Sequence, residues 1–274
     1  MTGIRVAYQG EKGAYSEEGV LNLFPDAERH PLSSIRKVFE SVEVGRYDLG
    51  LVPIDNSQAG SINETYDLFL KHGLHLIAET VVRVDHCLLA LPGSTPDSLT
   101  EVISHPQAIA QSEEFLNSIG VGIRAEYDTA GAAKRIAEEK LVGVGAVASR
   151  RAGELYGLEI LAEKIQTYPD NYTRFGVLSR DPQPLGNADK TSLVFGVGHV
   201  AGSLYRCIGA FAERHISLSK LESRPRAGRP WEYVFYVDAD ASASEAPMVE
   251  ALSEVSEHST FTRLLGTYAS ALKR

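Results

Sequence analysis

The sequence predicts an α/β protein in which a large N-terminal region precedes a small ferredoxin-like module of order βαββαβ. Through the first 180 residues, apolar runs rich in β-branched residues alternate with amphipathic stretches, which is typical of strands and helices in turn. A polar segment rich in Pro, Gly and Asx interrupts this pattern at 181–190. Beyond it, four strand-like and two helix-like stretches follow in the order of the module. We therefore expect a domain at 1–180, a linker at 181–190 and a second domain at 191–274.

The alternation in the larger region defines each element in order. The apolar runs predict strands at 4–8, 49–54, 74–84, 87–91, 99–104, 142–147, 158–165 and 174–178. The stretches with helical spacing predict helices at 17–24, 34–44, 62–71, 107–118 and 131–139. Because most neighbouring strands are joined through a helix, we expect mostly parallel sheets.

The C-terminal module repeats this scheme on a smaller scale. Its strands are predicted at 191–197, 216–222, 231–237 and 261–268, and its helices at 202–214 and 247–257. Each helix carries apolar residues on one face, such as Leu204, Ile208 and Phe211 on the first. This one-sided pattern predicts helices that cover one face of a sheet.

Composition and charge narrow the classes of partner. The chain of 274 residues has a formal net charge of −9, which argues against nucleic acid and anionic membranes as partners. The first 180 residues hold 17 Lys or Arg and 25 Asp or Glu. An anionic ligand bound there therefore needs local positive potential from arginines or helix N-termini.

The two cysteines and the N-terminal residues indicate the compartment. Cys87 and Cys207 lie far apart in apolar contexts, which favours buried free thiols over a disulfide framework. No apolar run reaches the length of a membrane span, and the first residues enter a strand pattern directly. We therefore expect a cytoplasmic protein.

No motif in the chain calls for a cofactor. Residues 143–148 and 196–201 both match G-x-G-x-x-A, but the first match comes late in its domain and the second lies in the small module, which is not the setting of a dinucleotide-binding motif. The sequence contains no P-loop, no G-x-S-x-G and no H-E-x-x-H pattern. We accordingly expect no nucleotide, no metal and no other cofactor.

Four polar segments at the ends of predicted strands are the candidates for chemistry. They are 10–16 (GEKGAYS), 52–61 (VPIDNSQAGS), 104–111 (SHPQAIAQ) and 171–175 (NYTRF). Ligands of α/β proteins bind at strand ends, where glycine loops and helix N-termini can approach an anion. Four such segments in one domain therefore indicate a ligand site.

Together with 128–133 (DTAGAA), these segments resemble the prephenate dehydratase family. That family shows G-x-x-G-[TA]-[FY]-S, V-P-I-E-N-S, S-H-P-Q-A-x-x-Q, T-x-x-A-A and N-x-T-R-F in this order. The resemblance implies a catalytic domain of two lobes with a cleft between them, similar to periplasmic binding proteins. It also implies conversion of prephenate to phenylpyruvate with loss of CO₂ and water, without a cofactor.

The resemblance also implies roles for single residues. Thr173 would donate a proton or hydrogen bond to the leaving hydroxyl, and Arg174 would clamp a substrate carboxylate. Further substrate contacts are implied for Ser16, Asn56, Ser57, Ser104, Gln111, Thr129 and Phe175. Three residues depart from the family pattern: Asp55 stands for Glu, Ser112 for Cys and Ser203 for Ala.

The C-terminal module resembles the ACT domain of the same enzymes. Residues 202–204 (GSL) match its G-A-L, and 221–225 (LESRP) match its E-S-R-P phenylalanine-binding signature. The resemblance implies that Gly202, Ser203, Leu204, Leu221, Glu222, Ser223, Arg224 and Pro225 bind L-phenylalanine as a feedback effector. Because such sites are shared between chains, it also implies a homodimer or homotetramer.

Other interpretations of the same residues stay open. The substrate could be arogenate, which carries an amino group where prephenate has a keto group. A two-lobed protein that captures a small anion without turning it over, with an amino-acid-sensing module, belongs to a different class. An NAD-dependent enzyme on prephenate would depend on the two glycine matches alone.

Overall fold

The computed structural model describes residues 3–226 and 232–271, and the chain divides into two compact units. Unit 1 consists of Met1–Thr65 and Thr80–Phe175, and unit 2 of Tyr66–Glu79 and Gly176–Arg274. The expected linker at 181–190 is a loop as far as residue 189. Unit 2 therefore contains the expected C-terminal module and also a segment of fourteen residues from the larger region.

The first lobe is built on a sheet in which the three strands that come first in the sequence run parallel. Its elements in chain order are β1 (Arg5–Gln9), α1 (Tyr15–Leu23), β2 (Glu28–Leu32), α2 (Ile35–Glu43), β3 (Leu49–Asn56), β4 (Gly60–Ser61), α3 (Asn63–Phe69) and β5 (His75–Arg83). β1 pairs in parallel with β2 and β3, and β4 folds back on the end of β3. The burial of Val38, Phe39 and Val42 on α2 anchors this helix to the sheet.

The second lobe is built on a sheet of mixed direction. Its elements are β6 (Cys87–Ala90), β7 (Glu101–Ser104), α4 (Pro106–Gln111), α5 (Glu113–Ile119), β8 (Gly122–Ala125), α6 (Thr129–Glu139), β9 (Val144–Ala148), α7 (Arg150–Tyr156) and β10 (Glu159–Glu163). The strand order is β10-β6-β9-β7-β8, with β7 parallel to β8 and β9, and β6 antiparallel to β9 and β10. This arrangement confirms the two-lobed α/β architecture.

The chain then returns to the first sheet as β11 (Tyr172–Ser179). That sheet has the order β2-β1-β3-β11-β5. In the sequence, β5 precedes the second lobe and β11 follows it. Because these two strands are neighbours in the sheet, the residues that follow β5 lie next to those that begin β11.

The sequence pattern failed to predict two edge strands. β2 has the sequence ERHPL and β8 the sequence GIRA, and each ends the order of its sheet. Their residues are largely half-buried or exposed, so they carry no run of buried apolar residues. The short helix α7 was not predicted either, and the expected helix 107–118 is two helices because Ser112 leaves the helical conformation (φ −112°, ψ 16°).

The module of unit 2 has the expected ferredoxin-like topology. It consists of β12 (Lys190–Gly196), α8 (Ser203–Ala212), β13 (Leu218–Pro225), β14 (Tyr233–Ala239), α9 (Ala246–His258) and β15 (Phe261–Tyr268). The antiparallel sheet has the order β13-β14-β12-β15. Phe195, Phe211 and Met248 are fully buried where the sheet and helices pack. Trp231, the first residue of the strand expected at 231–237, lies outside the described residues.

Polar contacts inside unit 2 explain why residues 66–79 belong to it. The Tyr236 hydroxyl donates to the carbonyl oxygen of Tyr66 over 2.7 Å. Lys190 Nζ lies 2.7 Å from Glu79 Oε1, and both side chains are almost completely buried. A buried charge is stable only with a partner, so this ion pair ties β12 to the Glu79 part of β5.

Two further observations concern the helices and the cysteines. Within the described ranges, no helix combines the length and apolarity that crossing a membrane requires. Cys87 and Cys207 are both free and buried, as their apolar contexts predict.

Candidate active site

A cavity of about 170 Å³ lies in unit 1, at the ends of the strands of both lobes. Its walls consist of Gln9, Gly10, Ala14, Tyr15, Ser16, Pro53, Asn56, Ile62, Val84, His86, His105, Gln107, Ala108, Gln111, Asp128, Thr129, Thr173 and Phe175. These residues come from each of the polar segments that the sequence singled out. As far as the described residues go, no Lys or Arg lines this cavity.

Asn56 is the centre of a hydrogen-bond network at the end of β3. Its Nδ2 donates to Asn171 Oδ1 (2.8 Å), to the Tyr172 carbonyl (3.2 Å) and to Thr173 Oγ1 (3.1 Å). The side chain is only 4% exposed, so its orientation is set by these partners. Because Thr173 Oγ1 accepts this bond, the hydroxyl proton of Thr173 is left to donate elsewhere.

Gln111 and His86 extend this network along the cavity wall. Gln111 Nε2 donates to Asn56 Oδ1 over 3.3 Å, and Gln111 Oε1 lies 2.9 Å from His86 Nε2. His86 Nδ1 lies 3.1 Å from the Tyr15 hydroxyl. Burial lowers the pKa of His86, so its ring is neutral near pH 7.

Three helices begin at the cavity, and one of them has no side-chain cap. The N-terminal residues of α1, α4 and α6 include the lining residues Tyr15, Gln107 and Thr129. His105 caps α4 and the Asp128 carboxylate caps α6, whereas the N-cap of α1, Ala14, offers no side-chain acceptor. The start of α1 therefore offers backbone N–H groups and the helix dipole to an anion, with no cationic side chain in the described wall.

Asp128 holds the glycine loop of the first lobe against α6. It is the N-cap of α6, where Oδ1 accepts from Ala130 N (2.8 Å), and Oδ2 accepts from Glu11 N (3.0 Å). Burial raises the pKa of the Asp128 carboxyl, and the backbone N–H donors oppose this effect. Gly10 allows this approach, because its φ of +108° is unfavourable for other residues.

Six of the predicted site residues lie together in the cavity wall. They are Ser16, Asn56, Gln111, Thr129, Thr173 and Phe175. Ser16 lies at the first turn of α1, and its hydroxyl donates to the carbonyl oxygen of Gln9. This part of the prediction is consistent with one site.

Arg174 does not line the described wall of the cavity, so this geometry does not support the expected carboxylate clamp, which stays a prediction. Side chains alternate along a strand, so Thr173 and Phe175 point to the cavity and Arg174 to the opposite face. There Arg174 Nε donates to Asp55 Oδ2 over 2.9 Å. Its guanidinium and the Asp55 carboxylate form a largely buried ion pair beneath the site.

Ser57 and Ser104 also lie outside the cavity wall. The Ser57 hydroxyl donates to the carbonyl oxygen of Asp170, and the buried Ser104 hydroxyl donates to that of Val147. Both serines therefore join loops and strands of the protein, and the expected substrate contact through either side chain is not found. A small hydroxyl side chain suits both positions because it can donate a hydrogen bond to a nearby backbone carbonyl oxygen.

The sequence analysis did not assign His86 and Asp128 to the site. His86 lies two residues beyond the strand predicted at 74–84, and Asp128 begins the DTAGAA segment. The signal that could have found His86 is its position at a strand end, where the other polar segments also lie.

The residues expected to bind an effector fall into two groups in unit 2. Gly202, Ser203 and Leu204 line an open cavity together with Tyr233 and Phe235. The segment 221–225 lies on β13, the edge strand of the sheet, and is absent from the described wall of that cavity. Arg224 Nη2 pairs with Asp67 at 3.2 Å.

Comparison with known proteins gives a consistent family. A family model described as prephenate dehydratase matches residues 6–183. Arogenate dehydratase 1 of Petunia hybrida is 45% identical over 283 residues, which cover 97% of this chain and 66% of the relative. Arogenate dehydratase/prephenate dehydratase 6, chloroplastic, of Arabidopsis thaliana is 44% identical and covers 97% of this chain and 69% of the relative. The chain thus spans about two thirds of the length of these relatives.

Two solved structures share the fold over nearly the whole chain. A prephenate dehydratase from Arthrobacter aurescens in complex with L-Phe has a TM-score of 0.90 at 30% identity and covers 98% of this chain and 90% of its own. GqqA, described as a novel type of quorum quenching acylase, has a TM-score of 0.88 at 34% identity and covers 97% of this chain and 98% of its own. Proteins described by different activities therefore share this fold.

Proposed function

This chain belongs to the prephenate dehydratase family, and we propose that it catalyses the decarboxylating dehydration of prephenate to phenylpyruvate. The observation that carries the proposal is the Asn56–Thr173 hydrogen bond of 3.1 Å at the cavity wall. It occupies an acceptor site of Thr173 Oγ1 and leaves the hydroxyl proton for the substrate. A dehydration needs such a donor, because hydroxide is a poor leaving group.

The proposed reaction needs little else from the protein. The bond from the ring to its carboxylate breaks, CO₂ leaves, and the electron pair moves through the ring. The bond from the ring to the hydroxyl breaks, and the hydroxyl takes up a proton through Thr173 Oγ1, which regains one from water or substrate, and leaves as water. The apolar side of the cavity, which includes Ile62, Val84 and Phe175, would desolvate the carboxylate that is lost.

The start of α1 would hold the second carboxylate. Its backbone N–H groups, near Ser16, are without a side-chain cap, whereas Asp128 caps the start of α6. Asn56 and Gln111 would orient the ring with neutral hydrogen-bonding groups.

The test removes the hydroxyl of Thr173 and keeps its shape. We expect Thr173→Val to lower kcat by about 100- to 10,000-fold, the usual value of a general acid, with little change in KM. Thr173→Ser, which keeps a hydroxyl, should retain most of the activity. Absorbance of phenylpyruvate at alkaline pH measures turnover, and circular dichroism checks the fold. A Thr173→Val protein with turnover near that of the parent would refute the proton-donor role, as would prephenate binding without turnover in the parent.

Arogenate is the second candidate substrate, and Asp128 favours it. This carboxylate is the acidic side chain in the described cavity wall, and arogenate has an ammonium group where prephenate has a keto oxygen. The names of both plant relatives include arogenate dehydratase. Competition kinetics decide: a kcat/KM for arogenate above that for prephenate in one preparation would make arogenate the substrate.

Hydrolysis of an amide, the activity that the word acylase suggests for GqqA, lacks support in this cavity. The Ser16 hydroxyl donates to a backbone carbonyl, and the Thr173 hydroxyl receives an amide N–H. Both ring nitrogens of His86 have other partners, Gln111 and Tyr15. A nucleophile–base pair, which acyl transfer would need, is not found among these groups.

We further propose L-phenylalanine as an effector of the module in unit 2. The open cavity beside Ser203 and Leu204 has an apolar wall that includes Phe235, and it suits an aromatic side chain. The Arthrobacter aurescens relative was solved with L-Phe. Assembly into a homodimer or homotetramer and a cytoplasmic location stay predictions from the sequence; the Arabidopsis relative carries the word chloroplastic in its name.

A further inference from the structure

His86 is a buried titratable group in the cavity wall that the proposed reaction does not use. It follows β5 directly, and the residue is only 2% exposed. Its backbone N–H donates to Gln166 Oε1 over 3.0 Å, which fixes the position of the main chain. Its ring meets that of Tyr15 edge-on, with 5.7 Å between the ring centroids. Because these contacts fix its position, His86 can in turn fix the position of a neighbouring side chain.

The orientation of the Asn56 amide is set by the backbone. Its Oδ1 accepts from the backbone N–H groups of Gln58 (3.1 Å) and Ala59 (2.9 Å). Its Nδ2 donates to the carbonyl oxygen of Tyr172. Backbone donors and acceptors cannot exchange roles, so the oxygen and nitrogen of this amide have one possible assignment.

The orientation of the Asn56 amide determines the orientation of the Gln111 amide, which in turn determines the tautomer of His86. Asn56 Oδ1 is an acceptor, and a second acceptor oxygen 3.3 Å away would repel it, so the atom of Gln111 that faces it is Nε2. Gln111 Oε1 therefore faces His86 Nε2 at 2.9 Å, and an oxygen in this place needs a donor too. The proton of the neutral ring consequently resides on Nε2.

The other ring nitrogen is then an acceptor. The Tyr15 hydroxyl lies 3.1 Å from Nδ1 and 2.8 Å from the carbonyl oxygen of Asp85, so its one proton has two acceptors. With Nδ1 unprotonated, the phenolic proton points to Nδ1 or is shared between Nδ1 and the Asp85 carbonyl, since a proton held by the carbonyl alone would leave two lone pairs facing each other over 3.1 Å. The tautomer is thus decided on the Gln111 side, by a chain of donors that begins at the backbone.

We infer that His86 is a positioning residue, a neutral Nε2–H imidazole that fixes the amide of Gln111. Through Gln111 it supports the Asn56 amide, whose Nδ2 faces Thr173 Oγ1. If the Gln111 amide turned over, its oxygen would face Asn56 Oδ1, and the repulsion would displace Asn56 from Thr173. The role in catalysis rests on the proposed function; the tautomer does not.

Two variants test the role in catalysis. In His86→Gln an amide N–H takes the place of Nε2–H, whereas His86→Leu has similar volume and no donor. We expect kcat of His86→Leu to fall at least 30-fold with KM within about three-fold, and His86→Gln to recover at least a third of the parent kcat. Equal kcat values in the two variants would overturn the role.

The tautomer is measured without any substrate. In ¹⁵N NMR spectra of the whole protein at pH 7.5, the ring of His86, assigned by its loss in His86→Gln, should show a protonated Nε2 and an unprotonated Nδ1. A protonated Nδ1, or an imidazolium, would overturn the inference. This spectrum stands even if Thr173→Val shows that the proposed reaction is wrong, so the two failures are distinguishable. The tautomer itself is read from the parent protein, and His86→Gln serves only to assign the signal.

Discussion

At the scale of single residues, two neighbours in one motif have different surroundings. Thr173 lines the cavity and receives a hydrogen bond from Asn56, whereas Arg174 faces Asp55 beneath it. The alternation of a strand produces this difference. Adjacent residues of one motif can therefore have different roles: Thr173 lines the cavity, and Arg174 stabilises the structure behind it.

This distinction predicts the behaviour of Arg174→Lys. Lysine keeps the positive charge but loses the planar guanidinium that donates to Asp55. We expect a loss of roughly 1–2 kcal/mol in the free energy of unfolding, and a KM within about three-fold of the parent. Urea unfolding and steady-state kinetics provide the two numbers. A tenfold rise in KM at unchanged stability would instead support the carboxylate clamp.

The buried histidine predicts a pH dependence of stability. Burial lowers the pKa of His86 below the ordinary histidine value of about 6.5, so in this range the unfolded chain binds more protons at that site than the folded chain does. Its contribution to stability is complete above about pH 6.5 and is lost as the pH falls toward the folded pKa. The unfolding free energy of the parent should thus fall more between pH 7.5 and 5 than that of His86→Gln. Parallel curves for the two proteins would contradict this.

At the scale of elements, the loop before α1 is the most constrained connection of the site. Gly13 has a φ of +89°, and a Cβ there would lie 2.9 Å from the Cα of Ala152. Its carbonyl accepts from the Ser149 hydroxyl, and its N–H donates to Glu17. This packing connects the loop of the first lobe to α7 of the second.

Replacement of Gly13 by Ala should therefore be costly. We expect Gly13→Ala to lower the unfolding free energy by about 2–4 kcal/mol, because a left-handed conformation adds roughly 1–2 kcal/mol to the steric overlap. The control is Gly93→Ala, where φ is +84° but nothing lies within 4 Å of the added Cβ. That variant should lose only the conformational part. Thermal or urea unfolding compares them, and equal losses would show that the contact with Ala152 is unimportant.

At the scale of the whole molecule, the chain carries two candidate ligand sites in separate units. The cavity with Thr173 belongs to unit 1, and the cavity with Ser203 and Leu204 to unit 2. A ligand that binds only the folded protein raises its unfolding temperature by mass action. Binding at one site can thus be observed when the other is inactive.

This separation predicts the response to phenylalanine. L-phenylalanine at 100 times its Kd should add about 2.7 kcal/mol to the stability of both the parent and Thr173→Val. Calorimetric unfolding with D-phenylalanine as the control measures the effect. The absence of a shift in the parent would remove the effector, and a shift lost in Thr173→Val would place the ligand in the catalytic cavity.

Local patterns determined most of the elements and the main candidate residues. Buried strands such as β3 have apolar runs, and the module has one-sided helices, because residues near in sequence share the same environment. The polar segments at strand ends marked the cavity, since strand ends of one sheet meet at one edge. The edge strands β2 and β8 escaped, because few of their side chains are buried.

The tertiary structure determined the contacts between distant residues, which local sequence patterns cannot predict. The alternation of side chains along β11 directs Arg174 toward Asp55. Glu79 and Lys190 form an ion pair although 111 positions separate them in the sequence. His86 contacts Gln111 and Tyr15, which come from separate segments of the chain. Each of these depends on which distant groups satisfy a buried charge or hydrogen bond. That choice is made only when the chain packs, because burial removes the water that satisfies such groups in the unfolded chain.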